Sequence, residues 1–498
     1  MLSVAAFAVV VCVIVVAGVA ANANRVTVAD APQVPAVESP LLPVGLGGEL
    51  DDGSGSAPSE VPADLKAQVD AVMSGAAGDP ALGELTAVVS SAATGETLWE
   101  QAADAPSRPA SAMKILTAAA ALLQLDHGKT VTTRVVRYPG QDGVVLVGAG
   151  DPTLSVAGDG WYPGAASMAE LAGEVRATLG VPEGEATPTV HVDVALFSDI
   201  FHSTWDRSGI EAGYIAPVDP VMVDGARLAL DREDARRTPE PAKGAGQALA
   251  DALGASSVDV LAPAGGAPRE AGADARARFG ADGVEPEVLG EVESAPLVAR
   301  VHQMMVHSDN VLAESLAREV AISRGLTPDF AGAAQAVRDT LAEHGLALDG
   351  PGSGSGEAAT LADSSGLSED NRISPDQLDS VLLAAARGTG SASDAEDSTG
   401  DDEGATDVAE ALRPLLDDLP VAGASGTLAG RYIGTGAADG AGWVRAKTGT
   451  LDGTSALAGT VTTQGGDVLT FVMLSNDAEL QPARAAADAA AAGLHRIS

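Results

Sequence analysis

The sequence is poor in cysteine, in positive charge and in aromatic residues, and each shortage excludes a class of protein. Its single cysteine, Cys12, lies inside an apolar N-terminal run, so neither a disulfide framework nor a cysteine-based zinc site can form. The 29 Lys and Arg residues stand against 69 Asp and Glu residues, which gives a formal net charge of −40. Because such a surface repels the phosphates of nucleic acids and anionic membranes, we expect no nucleic-acid partner.

Aromatic residues make up only 3% of the chain, although 46% of it is hydrophobic. A substantial core is therefore available, but it must be built mainly from Ala, Val and Leu. The seven histidines include no HExxH pair, and isolated histidines are more often surface or hydrogen-bonded core residues than ligands. We predict neither a metal centre nor a cofactor.

The N-terminus carries an apolar segment that is long enough to span a bilayer. Residues 2–23 are almost continuously apolar and end in Ala21-Asn22-Ala23, which has the small-x-small pattern of a signal-peptidase site. No Lys or Arg precedes Arg25, so orientation cannot be read from flanking charge. We predict that residues 1–23 are a signal peptide or a membrane anchor, with a buried core helix as the weaker alternative. The protein is then exported and works in the extracytoplasmic space or the cell wall.

Two further segments have biased compositions. Residues 24–62 are rich in Pro, Gly, Ser, Asp and Glu and show neither helical nor strand periodicity, which predicts a flexible linker. Residues 388–407 are acidic and have no apolar face to bury, which predicts a disordered, solvated loop.

Short strand patterns lie at both ends of the remaining chain. They cover residues 85–91, 96–101, 443–448, 455–463 and 467–475, and helical patterns follow at 111–125 and 480–497. This arrangement predicts one antiparallel sheet of five strands with helices around it, an α+β or mixed α/β domain made from residues 63–132 and 287–498. Between them, residues 133–286 read as an inserted β-rich domain. Its strand-like runs cover residues 131–137, 144–148, 190–194 and 226–230.

Lysine occurs only five times, and two of the five fall in motifs. The first motif is Ser111-Ala112-Met113-Lys114, an S-x-x-K at the start of an apolar helix. An i to i+3 spacing places the hydroxyl and the amine on one face, and burial would lower the lysine pKa so that it can accept the serine proton. The helix N-terminus also offers N–H groups to a developing oxyanion. The alternative is an N-capping serine followed by a lysine that extends to solvent.

Two more motifs follow in the chain. Ser308-Asp309-Asn310 lies between helical patterns at 297–306 and 311–322, where a hydroxyl can pass on a proton and an amide can hold a peptide carbonyl; the alternative is a helix N-cap. Lys447-Thr448-Gly449 lies in a strand pattern. Alternation places Lys447 and Gly449 on one face, where glycine allows close approach of a substrate backbone; the alternative is an exposed strand lysine beside a turn.

The ordered set S-x-x-K, S-D-N and K-T-G is typical of penicillin-binding proteins and class A β-lactamases. The sequence resembles the D-alanyl-D-alanine carboxypeptidase/endopeptidase family, the low-molecular-mass class C penicillin-binding proteins of the penicillin-binding protein 4 type. The long interval between the first two motifs favours this family over class A β-lactamases. The likeness covers residues 63–495 and includes RPASAMKILTAAAAL, VGAGDPTLS, HSDNVLAE, DSSGLSEDNRISP, LPVAGASGTL and AKTGTL.

This resemblance implies a fold and an activity. The fold is the serine DD-peptidase/β-lactamase-like transpeptidase domain, a five-stranded antiparallel sheet with helices on both sides, with an inserted domain. The activity is that of an exported serine-type D-Ala-D-Ala carboxypeptidase acting on peptidoglycan stem peptides through an acyl-enzyme that β-lactams also form. The resemblance leaves open whether cross-links are cleaved as well and which oligomeric state the protein has.

The resemblance also implies roles for residues that match the family motifs. Ser111 is the nucleophile, Lys114 the general base, and Ser308 the group that relays a proton to the leaving D-alanine. The substrate is bound by Asn310, Lys447, Thr448, Gly449 and Thr450, with the backbone N–H groups of Ser111 and Thr450 as the oxyanion hole. The sequence departs from the family pattern at Ser364, where glycine is frequent, and at residues 388–407, which look inserted.

Two other functions remain open from the sequence alone. A β-lactamase would need rapid hydrolysis of the penicilloyl-enzyme. A catalytically silent wall-binding or β-lactam-sensing protein would keep the fold without turnover, although the presence of every proposed catalytic side chain argues against a decayed site.

Overall fold

The computed structural model describes residues 61–180, 189–261, 270–280, 284–348, 358–387, 401–434 and 436–498. The predicted signal peptide or anchor, nearly all of the predicted linker and residues 388–400 of the predicted acidic loop lie outside the described residues. Within the described ranges, no helix has both the length and the apolar character needed to cross a membrane.

The described residues form strands at both ends and in the middle of the chain, and a run of consecutive helices precedes the last three strands. The strands are β1 (Glu84–Ser91), β2 (Thr97–Gln101), β3 (Thr132–Arg137), β4 (Val144–Val147), β5 (Asp151–Leu154), β6 (Val190–Asp193), β7 (Val221–Val223), β8 (Val258–Val260), β9 (Glu287–Glu293), β10 (Val444–Leu451), β11 (Thr454–Thr462) and β12 (Val468–Asn476). The helices are α1 (Ala63–Ala77), α2 (Lys114–Gln124), α3 (Met168–Leu179), α4 (Ser208–Ala212), α5 (Pro241–Leu253), α6 (Ala273–Phe279), α7 (Leu297–His307), α8 (Asn310–Ser323), α9 (Phe330–Glu343), α10 (Pro375–Ala386), α11 (Asp401–Asp417) and α12 (Leu480–His495).

The first sheet joins the two ends of the described chain. Its strand order is β10-β11-β12-β1-β2, and every neighbouring pair is antiparallel. β1 pairs with β12 from Glu84 opposite Asn476 to Ser91 opposite Leu469. This confirms the predicted five-stranded antiparallel sheet built from two early and three late strands.

Helices cover both faces of this sheet because its strands are apolar on both faces. Ala87 and Val89 of β1 belong to a core formed with α1 and α12, whereas Val88 faces a second core that contains α2. Nine consecutive residues of α2, Lys114 to Leu122, are buried. A helix that is apolar all round is a central helix, and α2 accordingly contacts each of α7 to α11 in the core that also includes Val88 of the sheet. The residue that begins this helix, Lys114, is thereby placed deep in the protein.

A second sheet lies in the segment predicted as an insert. Its order is β8-β6-β4-β3-β9, with parallel β4-β6 and β6-β8 pairs, and a separate parallel pair joins β5 to β7. Helices α3 and α5 share its core, so the segment is mixed α/β and not only β-rich. β9 lies beyond the boundary expected at residue 286 and pairs with β3, so this sheet extends to Glu293.

Two local predictions were wrong. Residues 226–230 do not form a strand, because Asp224, Gly225 and Ala226 all have positive φ and turn the chain directly after β7. The acidic loop predicted up to residue 407 gives way to helix α11 at Asp401. A buried apolar stripe that includes Leu412 and Leu415 anchors the later turns of α11, and helix propagation from an anchored turn is much less costly than nucleation.

Replacing Leu316 by Ala tests whether the packing of α8 against the α2 core stabilises the fold. Leu316 is fully buried in that core, so we expect Leu316→Ala to lower the free energy of unfolding by about 2–5 kcal/mol. Urea unfolding followed by circular dichroism measures the change. Ile322→Ala on the same helix removes an exposed side chain and should change the value by less than about 0.5 kcal/mol. Equal effects of the two substitutions would contradict this account.

Candidate active site

Ser111 lies in a tight turn directly before α2. The turn is a 3-10 helix from Ala110 to Met113, whereas the sequence predicted that the α-helix begins at Ser111. Residues three apart eclipse each other in a 3-10 turn, and Lys114 Nζ lies 3.0 Å from Ser111 Oγ. The structure thus brings together the two residues of the S-x-x-K motif.

Lys114 has two further partners, and both are carbonyl-type oxygens. Its Nζ lies 2.6 Å from Asn310 Oδ1 and 2.6 Å from the Ser365 carbonyl oxygen. Burial lowers the pKa of Lys114 to about 8, against the opposing effect of nearby carboxylates. A neutral amine has two N–H groups and one lone pair, so donation to these two oxygens leaves the lone pair for Ser111 Oγ. The arrangement suits Lys114 to accept a proton from Ser111.

The S-D-N turn connects α7 to α8 and places its outer residues beside the two motif lysines. Ser308 is in the left-handed region at φ 55°, and its Oγ accepts from Lys447 Nζ at 2.9 Å. Asp309 is the N-cap of α8, since its Oδ1 accepts from the Leu312 N–H. Asn310 begins α8 and accepts from Lys114. The N-cap alternative is therefore correct for Asp309, but it does not exclude contacts of Ser308 and Asn310 within the site.

Residues between the first two motifs hold Asp309 in place. Its buried Oδ2 accepts from Tyr162 Oη at 2.8 Å and from Arg227 at 2.9 Å, with an Arg237 nitrogen at 3.6 Å. Burial by itself would raise the pKa of Asp309, but Arg237 and Arg227 outweigh it and keep this pKa well below its ordinary value. No sequence pattern indicates this cluster, because its members are far apart in the chain and form no motif.

The third motif lies on β10, at the edge of the sheet. Segment 420–422 covers the first half of that edge, through the bonds from Ala446 N–H to Pro420 and from Ala422 N–H to Val444. Backbone groups alternate in direction along a strand, so those of Thr448 and Thr450 point to the edge beyond this segment. This is the direction required of the Thr450 N–H in the predicted oxyanion hole.

Lys447 is fully buried beside this edge. Its Nζ donates to Ser308 Oγ and to the Thr448 carbonyl, each at 2.9 Å. Burial first, and the positive charge of Lys114 second, hold the pKa of Lys447 well below its ordinary value. Thr448 Oγ1 donates to Thr427 Oγ1, a residue that sequence reasoning missed, and Thr450 Oγ1 accepts from Arg484.

Gly449 is required by the protein's own packing. A Cβ at this position would lie 2.7 Å from the Pro109 carbonyl oxygen and 3.1 Å from Ala110 Cβ. The K-T-G motif predicts close approach of a substrate backbone at this glycine. The structure shows, in addition, that the glycine allows the turn that carries Ser111 to pack directly on β10.

Comparison with known proteins decides the family. The sequence profile of the D-Ala-D-Ala carboxypeptidase 3 (S13) family matches residues 65–270, 236–398 and 403–496. Carboxypeptidase DacB of Mycolicibacterium smegmatis is 43% identical over 450 residues, which are 88% of this chain and 87% of that protein. The chain belongs to the S13 family of D-Ala-D-Ala carboxypeptidases.

Solved structures show the same fold for this S13 carboxypeptidase. Penicillin-binding protein 4 (DacB) of Haemophilus influenzae matches with a TM-score of 0.60 and 19% identity, covering 82% of this chain and 95% of that one. The same Haemophilus protein complexed with a β-lactam matches with a TM-score of 0.54 and 19% identity, over 82% and 94% of the two chains. The predicted family, fold and enzyme class are thereby confirmed.

The described part of the S13 carboxypeptidase contains no group of three or more His, Cys, Asp or Glu side chains that could hold a metal ion. The structure brings the three predicted motifs into contact, through Lys114 with Asn310 and Lys447 with Ser308. Sequence reasoning did not single out the neighbouring residues Asp309, Thr427 and Ser365.

Gly449→Ala tests the packing of β10 on the nucleophile turn. The added methyl group would displace Ser111 from β10, and a misplacement of about 1 Å costs on the order of 100-fold in rate, so we expect kcat/KM for D-alanine release to fall by at least that factor. Release from a diacetyl-Lys-D-Ala-D-Ala peptide measures it. As a control, Gly173→Ala adds a methyl group that meets no atom within 4 Å and should retain activity. Full activity of Gly449→Ala would refute the packing argument.

Proposed function

We propose that this carboxypeptidase cleaves the terminal D-alanine from peptidoglycan stem peptides through an ester on Ser111, with Lys114 as the general base. The observation that carries the proposal is the environment of Lys114, a buried amine 3.0 Å from Ser111 Oγ whose N–H groups have two other acceptors. An activated nucleophile of this kind is what acyl transfer requires. The family supports the substrate class, since its activity is defined on D-Ala-D-Ala.

The acylation step follows from this geometry. Ser111 Oγ attacks the carbonyl carbon of the D-Ala-D-Ala bond while its proton passes to Lys114. The oxyanion forms at the edge of β10, where the Thr450 N–H points, and the Ser111 N–H completes the predicted oxyanion hole. As the C–N bond breaks, the proton that Lys114 took from Ser111 reaches the leaving nitrogen through the Ser308 hydroxyl, which gives up one proton as it takes the other and which lies 2.9 Å from Lys447. Water then cleaves the ester and regenerates the Ser111 hydroxyl.

Recognition of the substrate's terminal carboxylate falls to Lys447 and Thr448. Burial disfavours the charged form of Lys447, but a carboxylate placed beside it favours that form and raises its pKa again. Binding energy is therefore gained with substrates that carry a negative charge at this point. The carboxylate of a penicillin meets the same requirement, so we propose that β-lactams acylate Ser111 as well.

We also propose a location and a domain scheme. Residues 1–23 direct export or anchor the chain, and residues 24–62 separate that segment from the enzyme, so that the site meets peptidoglycan outside the cytoplasm. Residues 63–132 and 287–498 form the catalytic domain around an insert at 133–286. The second sheet, which includes β9, argues for moving the end of the insert to Glu293.

Intact mass after incubation with benzylpenicillin tests the nucleophile. We expect an adduct on the wild-type protein and none on Ser111→Ala, together with D-alanine release from a diacetyl-Lys-D-Ala-D-Ala peptide by the wild type only. Folded wild-type protein that shows neither adduct nor release would favour a silent binding protein. Rapid loss of penicillin without a lasting adduct would favour a β-lactamase.

The pH dependence of kcat/KM tests the general base. Lys114 must be neutral to accept the Ser111 proton, and its pKa is about 8, so kcat/KM should rise with pH up to about 8 and then level off. Initial rates of D-alanine release from pH 5.5 to 9.5 measure the profile. A rate that does not change between pH 6 and 9 would exclude Lys114 as the base.

A further inference from the structure

Glu314 is a buried carboxylate close to the proposed general base, and no step described so far uses it. It lies on α8 four residues after Asn310, so the two side chains share one face of the helix. Its side chain is fully buried. Its Oε1 accepts two backbone N–H groups, from Ser364 at 3.0 Å and from Ser365 at 2.8 Å. One helix face thus contributes both a direct partner of Lys114 and a support for the loop beside it.

The Ser364–Ser365 segment is held from both sides. Its N–H groups bind Glu314, while its two carbonyl oxygens accept from α2, Ser364 from Thr117 Oγ1 at 2.6 Å and Ser365 from Lys114 Nζ at 2.6 Å. Gly366 follows with φ 83°, and a Cβ there would overlap the Ala110 carbonyl in the nucleophile turn. A shift of this loop would therefore move the acceptor that orients Lys114.

The second oxygen of Glu314 is different. Oε2 is buried and makes no hydrogen bond within the described residues, and the nearest cation, Arg318 Nη1, is 3.9 Å away, too far for a hydrogen bond. Burial is the main reason that the pKa of Glu314 rises to about 7, with Asp363 adding to it and Arg318 opposing it. A proton can thus bind at Oε2 while Oε1 keeps both N–H groups.

We propose that Glu314 is a positioning residue for Lys114, an inference that rests on the proposed role of Lys114 as the base. Oε1 fixes the Ser364–Ser365 peptide so that the Ser365 carbonyl meets the amine, and Oε2 takes up a proton as the pH falls. Protonation removes a negative charge that otherwise favours the charged, inactive form of Lys114.

Other charges also face this pair. Asp309 from the start of α8 and Asp363 from the loop before Ser364 act on Lys114, and Lys114 in turn acts on Lys447 from β10. They remain in place when Glu314 alone is changed. A comparison of the wild type with a variant at 314 therefore isolates the contribution of this carboxylate.

We expect the acid limb of the profile, where kcat/KM falls as the pH is lowered, to be less steep than for a single titrating group. When the pair holds one proton, that proton lies either on Lys114 or on Glu314, and the titration belongs to the pair. The form with protonated Glu314 keeps a neutral amine and stays active. The kcat/KM of the wild type should therefore fall less than tenfold per pH unit between about pH 5.5 and 7, where the form with one proton is still populated.

Glu314→Gln tests this directly, because glutamine imitates the protonated carboxyl. Its Oε1 can accept both N–H groups and its amide nitrogen replaces the protonated Oε2, so we expect folded protein with wild-type kcat/KM above pH 9. The midpoint of the acid limb should move down by about half a pH unit to one unit, since a negative charge near Lys114 is lost. On the acid side of its profile, the kcat/KM of Glu314→Gln should also fall tenfold per pH unit.

Glu319→Gln is the matched control. Glu319 lies on the same helix and pairs with Arg300 at 2.6 Å, away from Lys114, so its variant should keep the wild-type midpoint and slope. A Glu314→Gln midpoint equal to that of the wild type would overturn the proposal. If Glu314→Gln does not fold, the pH profile of the wild type tests the proposal. A wild-type kcat/KM that falls tenfold per pH unit between pH 5.5 and 7 would also overturn the proposal.

Lys114→Ala separates this proposal from the function on which it rests. Loss of D-alanine release at every pH supports Lys114 as the base, whatever Glu314 does. Retained release in Lys114→Ala would refute the general-base role itself. An inactive Lys114→Ala with an unshifted Glu314→Gln profile would refute only the role of Glu314.

Discussion

The burial of two lysine amines in one site is the constraint on which the rest of the structure depends. Lys114 and Lys447 are both fully buried, and the charge of Lys114 disfavours the charged form of Lys447. A buried amine is tolerated only when oxygen atoms accept its N–H groups. Asn310, Ser365, Ser308 and the backbone of Thr448 provide them, and these acceptors come from segments far apart in the chain. The fold brings those segments together around the Nζ atoms of Lys114 and Lys447.

The parts of the fold that the sequence predicted well are those with strong local signals. The strands at both ends alternate or are continuously apolar, and turn residues separate them, so the predicted sheet differs from the observed one by only a few residues at each strand end. The prediction of a strand at residues 226–230 was wrong because a hydrophobic pattern does not indicate the three positive φ angles that follow β7. The prediction of a loop up to residue 407 was wrong because later turns of α11 pack in the core and stabilise its start. This is a tertiary effect that overrides composition.

The candidate site divides in the same way. Ser111, Lys114 and the S-D-N and K-T-G residues could be proposed from the sequence because reactive side chains occur there at fixed spacings. The residues that orient them could not be predicted, because such a residue needs only a hydrogen-bond donor or acceptor at the right position in the folded protein. Asp309 illustrates this, since Tyr162, Arg227 and Arg237 reach it from a segment whose sequence indicated no connection with the chemistry. The segment between the first two motifs therefore contributes to the geometry of the S-D-N turn and is more than an attachment.

The partial cover of β10 has a consequence for how the protein behaves at high concentration. An exposed strand edge invites pairing with a strand of another molecule, and proteins usually shorten or block such edges. Segment 420–422 blocks the first half of this edge, and the open remainder spans only the few residues that end at Leu451. Such a length admits a short extended peptide but offers too little ladder for a foreign strand. The three residues that cover the first half of the β10 edge thus also leave little of that edge for association with another molecule.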